Sequence, residues 1–240
     1  SRWNTNKRIW ELMINVNVFF NFIGSVTNKA ENGGFAIPQF NSALPIVVKQ
    51  YIDKCIKTLR DYQLGQNKNF ALIADAERAL FDITVKSTIN VSGGIGTLPN
   101  DWDETKGINY NYTTQNPLTI VPYPVREVSA DEFAQYKSSQ LNTPTKKHAI
   151  ATYYDNTIRF APSDILKAEL LYYKSAPNPV WAFTVENGVD TYDATNSVNI
   201  SLGENAINEL AYMFCQYLGL SIKDSFIEQF SQRGEAKSDN

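Results

Sequence analysis

Residues 40–59 read Phe-Asn-Ser-Ala-Leu-Pro-Ile-Val-Val-Lys-Gln-Tyr-Ile-Asp-Lys-Cys-Ile-Lys-Thr-Leu. Phe40, Ala43, Leu44, Val47, Val48, Tyr51, Ile52, Cys55, Ile56 and Leu59 recur at alternating steps of three and one, which places them on one face of an α-helix over five turns. This spacing predicts a core helix, with Pro45 near its first turn, where a missing N–H costs least.

Working outward, Thr5 can cap an earlier helix carrying Ile9, Met13, Val16, Phe20 and Ile23 on one face and ending at Asn32-Gly33-Gly34. After Gly65 a third helix is expected over about Lys68 to Asp82, with Phe70, Ile73 and Leu80 aligned. From Ile83 the pattern changes. Short β-branched and aromatic runs alternate with Gly, Pro, Asn and Asp, which reads as strands and turns. The clearest runs are Leu118–Val121, Ala149–Tyr154, Thr157–Phe160, Ala168–Tyr173, Val180–Val185 and Val198–Ile200. Asp155-Asn156 and Asn187-Gly188 read as hairpin turns. Ser129-Ala130-Asp131-Glu132 has capping-box spacing before a short helix through Phe133 and Tyr136. Ser201-Leu202-Gly203-Glu204 has the same spacing before Ile207, Leu210, Ala211, Phe214 and Leu218, a helical face closed by Gly219.

Helices therefore bracket strands. The expected fold is α+β: a bundle from residues 1–82 and 201–220, an inserted antiparallel sheet or sandwich over 83–200 forming a wing, and a terminal tail over 221–240.

Composition narrows the function. With 25 acidic and 22 basic residues the net charge is −3, so no basic excess exists to neutralise nucleic-acid phosphates. A wall of this character can still let a duplex slide through without sticking. Cys55 and Cys215, the two cysteines, fall on apolar helical faces and read as buried thiols rather than a disulfide. One histidine, His148, follows Lys146 and Lys147, and no Cys-x-x-Cys pair accompanies it, so common zinc and iron sites cannot be assembled. The apolar stretch Ile9–Gly24 contains Glu11, Asn15, Asn17 and Asn21, too polar for a membrane span or signal core. An origin in a reducing cytoplasm is expected, with the Asn-x-Ser/Thr triplets at Asn90, Asn111 and Asn199 as chance matches.

Four constellations invite chemistry, and each has a plainer reading. Gly93-Gly94-Ile95-Gly96 lacks the following helix a phosphate loop needs and reads as a connection. Asp101, Asp103 and Glu104 lack EF-hand spacing and read as solvated or turn-capping carboxylates. A nucleophilic triad would have to rest on lysine-flanked His148. Tyr110, Tyr112, Tyr153, Tyr154, Tyr172, Tyr173 and Trp181 could stack on sugars or bases. Adjacent residues such as Tyr172-Tyr173 point to opposite faces, however, so one of each pair reads as core and the other as surface or subunit contact. No enzyme mechanism and no cofactor is nominated.

Several phrases, in order, resemble those of phage head-to-tail adaptor proteins. Leu98-Pro99-Asn100-Asp101-Trp102 resembles the lead-in to their β region, as in the tail tubular protein A type. Pro124-Val125-Arg126-Glu127-Val128-Ser129-Ala130-Asp131-Glu132-Phe133 is similar to the contact phrase before their short helix. Ile158-Arg159-Phe160-Ala161-Pro162 followed by Leu170-Leu171-Tyr172-Tyr173-Lys174-Ser175-Ala176-Pro177 resembles a strand pair, and Glu209-Leu210-Ala211 through Leu218-Asp224 resembles the closing helix. Among such families the ring proteins of crAss-like phages of gut Bacteroidota are the most similar, with a Phe-Asn helix like Phe40-Asn41. The resemblance spans about residues 5 to 230.

What it implies is a non-enzymatic virion protein, made in the host cytoplasm, that forms a dodecameric ring below the portal. Such a ring places helices near the axis and the β wing outward, continues the channel for double-stranded DNA and attaches further ring or tail proteins. A heterologous interface closed by rotation suits this, since each copy presents two unlike faces. The partner-contact residues expected are Arg126 and Glu127, Trp181, and Phe226, Ile227 and Phe230 in the terminal stretch Ser221–Asn240, which would dock on the portal. The rival readings are a β-sandwich module binding carbohydrate or another surface ligand, and a hydrolase using Asp101 and Glu104, which would require two carboxylates facing each other across a cleft.

Overall fold

The computed structural model describes residues 13–27, 35–66, 69–115 and 118–220. The fold is α+β, as expected, and the chain divides into two compact units. One combines Ser1–Ile83 with Ala176–Asn240, and the other is Thr84–Ser175.

In the first unit, β1 (Met13–Ile14) precedes α1 (Val16–Val26). Asn15 caps α1, its Oδ1 accepting from the amides of Asn17 and Val18. Here the structure corrects the sequence reading. Met13 and Ile14 are strand residues paired with the later strand β12 (Ile200–Gly203), so the helix starts after them. Its buried residues are Val16, Phe19, Ile23 and Val26. The Thr5 cap, Ile9 and Asn32-Gly33-Gly34 lie outside the described residues.

Helix α2 (Ile37–Gln63) buries all ten residues of the predicted stripe, from Phe40 to Leu59. Its first turn holds Pro38, whereas Pro45 stands inside the helix, deeper than the spacing suggested, and has no N–H for the Asn41 carbonyl. Asn69 caps α3 (Phe70–Ala79), whose inner side carries Ile73, Ala76 and Ala79. Phe70 lies outside, 71% exposed. A 3-10 turn at Phe81–Ile83 ends this part.

The C-terminal part of the unit returns through β12, a 3-10 turn at Glu204–Ala206, and a last helix, Ile207–Leu218, closed by Gly219 in the left-handed conformation. The expected Ser201 capping box is not formed. Ser201 is a buried strand residue, and Gly203 precedes the 3-10 turn without a side-chain cap. Phe19, Phe40 and Phe214 bring the N-terminal helices and the last helix together, with ring centroids 5.9 Å apart for Phe19–Phe214 and 5.1 Å for Phe40–Phe214. All three are fully buried, so truncating one to alanine would cost about 3–5 kcal/mol.

The second unit is an eight-stranded sheet: β2 (Thr84–Ser92), β3 (Ile95–Thr97), β4 (Trp102–Gln115), β5 (Leu118–Pro124), β6 (Arg126–Glu127), β7 (Ile150–Tyr154), β8 (Thr157–Ala161) and β9 (Lys167–Lys174), in the order β5-β4-β9-β2-β3-β8-β7-β6. Every pairing is antiparallel except β6 with β7. Between β2 and β3, Gly93-Gly94 is a two-residue turn with φ of 59° and 80°, the geometry glycine takes without strain. The glycine run is thus a hairpin tip.

Strands β5 and β6 stand at opposite ends of that order yet are one run of chain joined at Val125. The Val125 amide donates to Ile108 of β4 at 2.9 Å, and the next amide, Arg126, donates to Ala149 beside β7 at 2.9 Å. One strand therefore pairs with both ends of the sheet and closes it into a barrel, which removes the open edges that invite aggregation. Alternation from Val125 turns the nitrogens of Pro122 and Pro124 away from β4, the side where proline withholds no ladder bond. The interior is packed by Ile89, Val91, Ile108, Ile158, Phe160 and Leu170 among others. Between β6 and β7, Ser129 and Glu132 form the expected capping box of α4 (Ala130–Ser138), each side chain accepting from the other's backbone amide.

The boundary between helical and β parts falls at Ser175, ahead of the expected 200. Trp181 explains it by packing on α1 and α2, which carries the next segment into the first unit. That segment holds two further strands, β10 (Phe183–Glu186) and β11 (Val189–Tyr192), as a separate two-stranded sheet. Among the described residues β12 is the last strand in chain order, and the last helix, Ile207–Leu218, is α5. Among the described residues no helix is long and apolar enough to cross a membrane.

Candidate partner interface

The hairpin β10–β11 is tied firmly at its base. Trp181 is 5% exposed and stacks on Phe20 with ring centroids 4.5 Å apart. Its indole N–H donates to Asn17 Oδ1 at 3.0 Å. Its backbone N–H donates to Asn41 Oδ1 at 2.9 Å while its carbonyl accepts from Asn41 Nδ2 at 3.0 Å. The sequence reading of Trp181 as a partner contact is thereby corrected, because a side chain this covered offers another chain almost no area. Phe183 and Tyr192 lie against the indole at 6.1 Å and 5.6 Å. Asp193 N donates to Ala182 O, and Ser197 Oγ bridges Asp193 O and the Ala182 amide. Hydrogen bonds from Asn196 and the Thr195 amide hold the Asp193 carboxyl below its usual range.

Beyond that base the hairpin runs bare. Asn187 and Gly188 have φ of 53° and 78°, the tight turn their sequence predicted. Val185 is 64% and Val189 65% exposed. Cross-strand partners share a face, so Val185 stands beside Asp190 and Val189 beside Glu186. Each face of the tip therefore carries one valine and one carboxylate, and the hairpin contains no cation. An isolated two-stranded hairpin is marginal in water, which makes its exposed apolar tip unusual for a surface with no partner.

Arg126 and Glu127, the other predicted contacts, are exposed in β6 and engaged within the barrel unit. Arg126 Nη1 donates to Tyr136 Oη at 3.2 Å, and its guanidinium stands 5.6 Å above the Tyr136 ring, which holds α4 to the barrel. Glu127 Oε2 accepts from Tyr153 Oη at 3.0 Å, and the same hydroxyl lies 2.6 Å from Thr105 Oγ1. Burial pushes the Tyr153 phenol above its ordinary range. Phe226, Ile227 and Phe230 lie outside the described residues.

Two clefts lie between α4 and the barrel strands. One of about 490 Å³ is lined by Arg126, Tyr136, Thr143, Thr145 and His148, with no carboxylate in its wall. His148 is exposed and thus lacks, within this cleft, the acid that would orient it as a base. The other, of about 320 Å³, is lined by Ile95, Phe133, Lys137, Pro144, Arg159 and Pro162 among others. Lys137 and Arg159 make no ion pair among the described residues, and Arg159 instead lies 4.6 Å over the Tyr154 ring. Asp101 accepts from Tyr172 Oη at 2.9 Å, a structural bond that joins it to β9. Among the described residues no group of three or more His, Cys, Asp or Glu could hold a metal ion. Tyr172 and Tyr173 are both buried, which corrects the division into one core and one surface ring.

The sequence reading missed Asn17 and Asn41 as anchors of Trp181. The absence of any Lys or Arg between Phe183 and Tyr192 was a signal that could have found the acidic tip. No family model matches the chain, and no curated protein matches its sequence.

Proposed function

We propose that this chain is a structural protein of a tailed bacteriophage, a non-enzymatic adaptor of the head-to-tail junction. Twelve copies close by self-contact into a ring beneath the portal, continue the channel for double-stranded DNA and carry the next ring or tail protein. The observation that carries the reading is the β10–β11 hairpin, firmly anchored at its base, with an exposed valine and an exposed carboxylate on each face of its tip, which suits contact with another chain. Two further features support it. The barrel interior is packed with side chains, which suits a stiff spacer better than a ligand container. The net charge of −3 leaves DNA free to move past. The order of phrases resembling head-to-tail adaptors supports a location at the neck of the virion.

The test is reconstitution with portal. Purified chain incubated with portal rings should co-elute with them and add a ring of density on one portal face in electron micrographs. Elution apart from portal, with bare portal rings on the grid, would contradict the proposal.

A further inference from the structure

We infer that the hairpin tip of one copy seats in the 320 Å³ cleft beside α4 of the neighbouring copy, giving the ring its head-to-tail contact. This rests on the ring reading and adds the two surfaces that meet.

The charges argue for it first. Glu186 and Asp190 on the tip make no ion pair among the described residues, and neither do Lys137 and Arg159 at the cleft. Lys137 and Arg159 lie together in a cleft whose lining holds no carboxylate, and the hairpin from Phe183 to Tyr192 holds no cation. Two unmatched acids on one surface and two unmatched cations on another are complementary in sign and number, the arrangement that fixes register between partners.

Apolar shape agrees. The tip is a wedge with a valine on each face, Val185 and Val189. The cleft offers Ile95, itself 48% exposed, with the half-buried Phe133, Pro144 and Pro162 around the two cations. Covering Val185, Val189 and Ile95 together would bury the apolar area each leaves in water in the single chain. When each copy takes its hairpin from one neighbour and gives its own to another, the contact is heterologous. Repeated around an axis with a rotation that closes, it makes a ring, whereas reciprocal exchange between two copies would stop at a dimer.

The experiment uses two charge-reversed full chains. One carries Glu186→Lys with Asp190→Lys, the other Lys137→Glu with Arg159→Glu. All four side chains are exposed and without ion pairs in the single chain, so the tip variant should keep the wild-type thermal melt, and the cleft variant, which loses the Arg159–Tyr154 ring contact, should melt within a few degrees of it. Each alone should need roughly tenfold or more concentration than wild type to assemble. An equimolar mixture should assemble again at wild-type concentration, because basic tips then face acidic clefts and the remaining wild-type tips face wild-type clefts in alternation. Normal assembly of either variant alone, or a mixture as inert as its components, would overturn the inference and leave the ring proposal standing. A wild-type chain that stays monomeric both alone and with portal would end both.

Discussion

Asn41 and Trp181 exchange two hydrogen bonds, carboxamide N–H to carbonyl at 3.0 Å and backbone N–H to carboxamide oxygen at 2.9 Å, across 140 positions of sequence. A side-chain amide here does what a neighbouring strand would do, giving the backbone of Trp181 both a donor and an acceptor. Through this pair, helix α2 fixes the root of the exposed hairpin.

Asn41→Ala should therefore leave both groups of Trp181 unpaired in a partly buried position, at about 1–3 kcal/mol. Asn41→Asp should be no better, since a carboxylate cannot donate to the carbonyl. Chemical denaturation followed by tryptophan fluorescence measures both. Wild-type midpoints for both variants would show that the anchor is dispensable.

Tyr153 joins β4 to β7 and Glu127 by its hydroxyl, and burial raises its pKa above the ordinary value of 10.0. A phenol whose pKa is higher folded than unfolded stabilises the fold fully below the unfolded value and loses that contribution as pH rises above it. Burial likewise raises Tyr172, to about 12. Stability should thus be flat through neutral pH and fall above about pH 10. Tyr153→Phe should cost about 1 kcal/mol at pH 7 and shallow that alkaline fall, as urea melts across pH 7 to 11 would measure.

Burial pushes the thiols of Cys55 and Cys215 up to about 11. As thiolate is the reactive form, both should resist a disulfide-exchange reagent in the native protein at pH 8 and react in denaturant. Rapid stoichiometric labelling without denaturant would contradict the burial.

A methyl group at Gly203 would stand 2.6 Å from the Arg78 carbonyl oxygen and 2.8 Å from Asn205 Oδ1. The oxygen belongs to backbone and cannot swing aside, so Gly203→Ala should cost about 1–3 kcal/mol, read as a fall in thermal midpoint.

Much of the helical unit was legible because one-sided burial writes its period into the chain. The stripe from Phe40 to Leu59 is the clearest instance, and the Ser129–Glu132 box and the Asn187-Gly188 turn are local chemistry of the same kind. Long-range pairing was not legible. Met13 reads as one more position on the helical face expected after Thr5 until β12 claims it and Ile14 from near the other end of the sequence. Gly203 sits in a capping-box spacing, yet its role is to let a strand pass the end of α3. Strand β2 was not picked out as a run, since Lys86, Ser87, Thr88 and Asn90 interrupt it and only Ile89 and Val91 are buried. Closure of the barrel through Val125 depends on which neighbours a strand meets in space, which no local pattern encodes. At the candidate interface the Asn187-Gly188 turn was read, while the Asn41 anchor and the cleft were not, because both join residues far apart in sequence.

The most direct test is the native mass of the purified chain, alone and with portal. The account predicts a closed assembly of twelve copies, formed alone at high concentration or on the portal at low concentration. A single mass near 27.1 kDa under both conditions would contradict it.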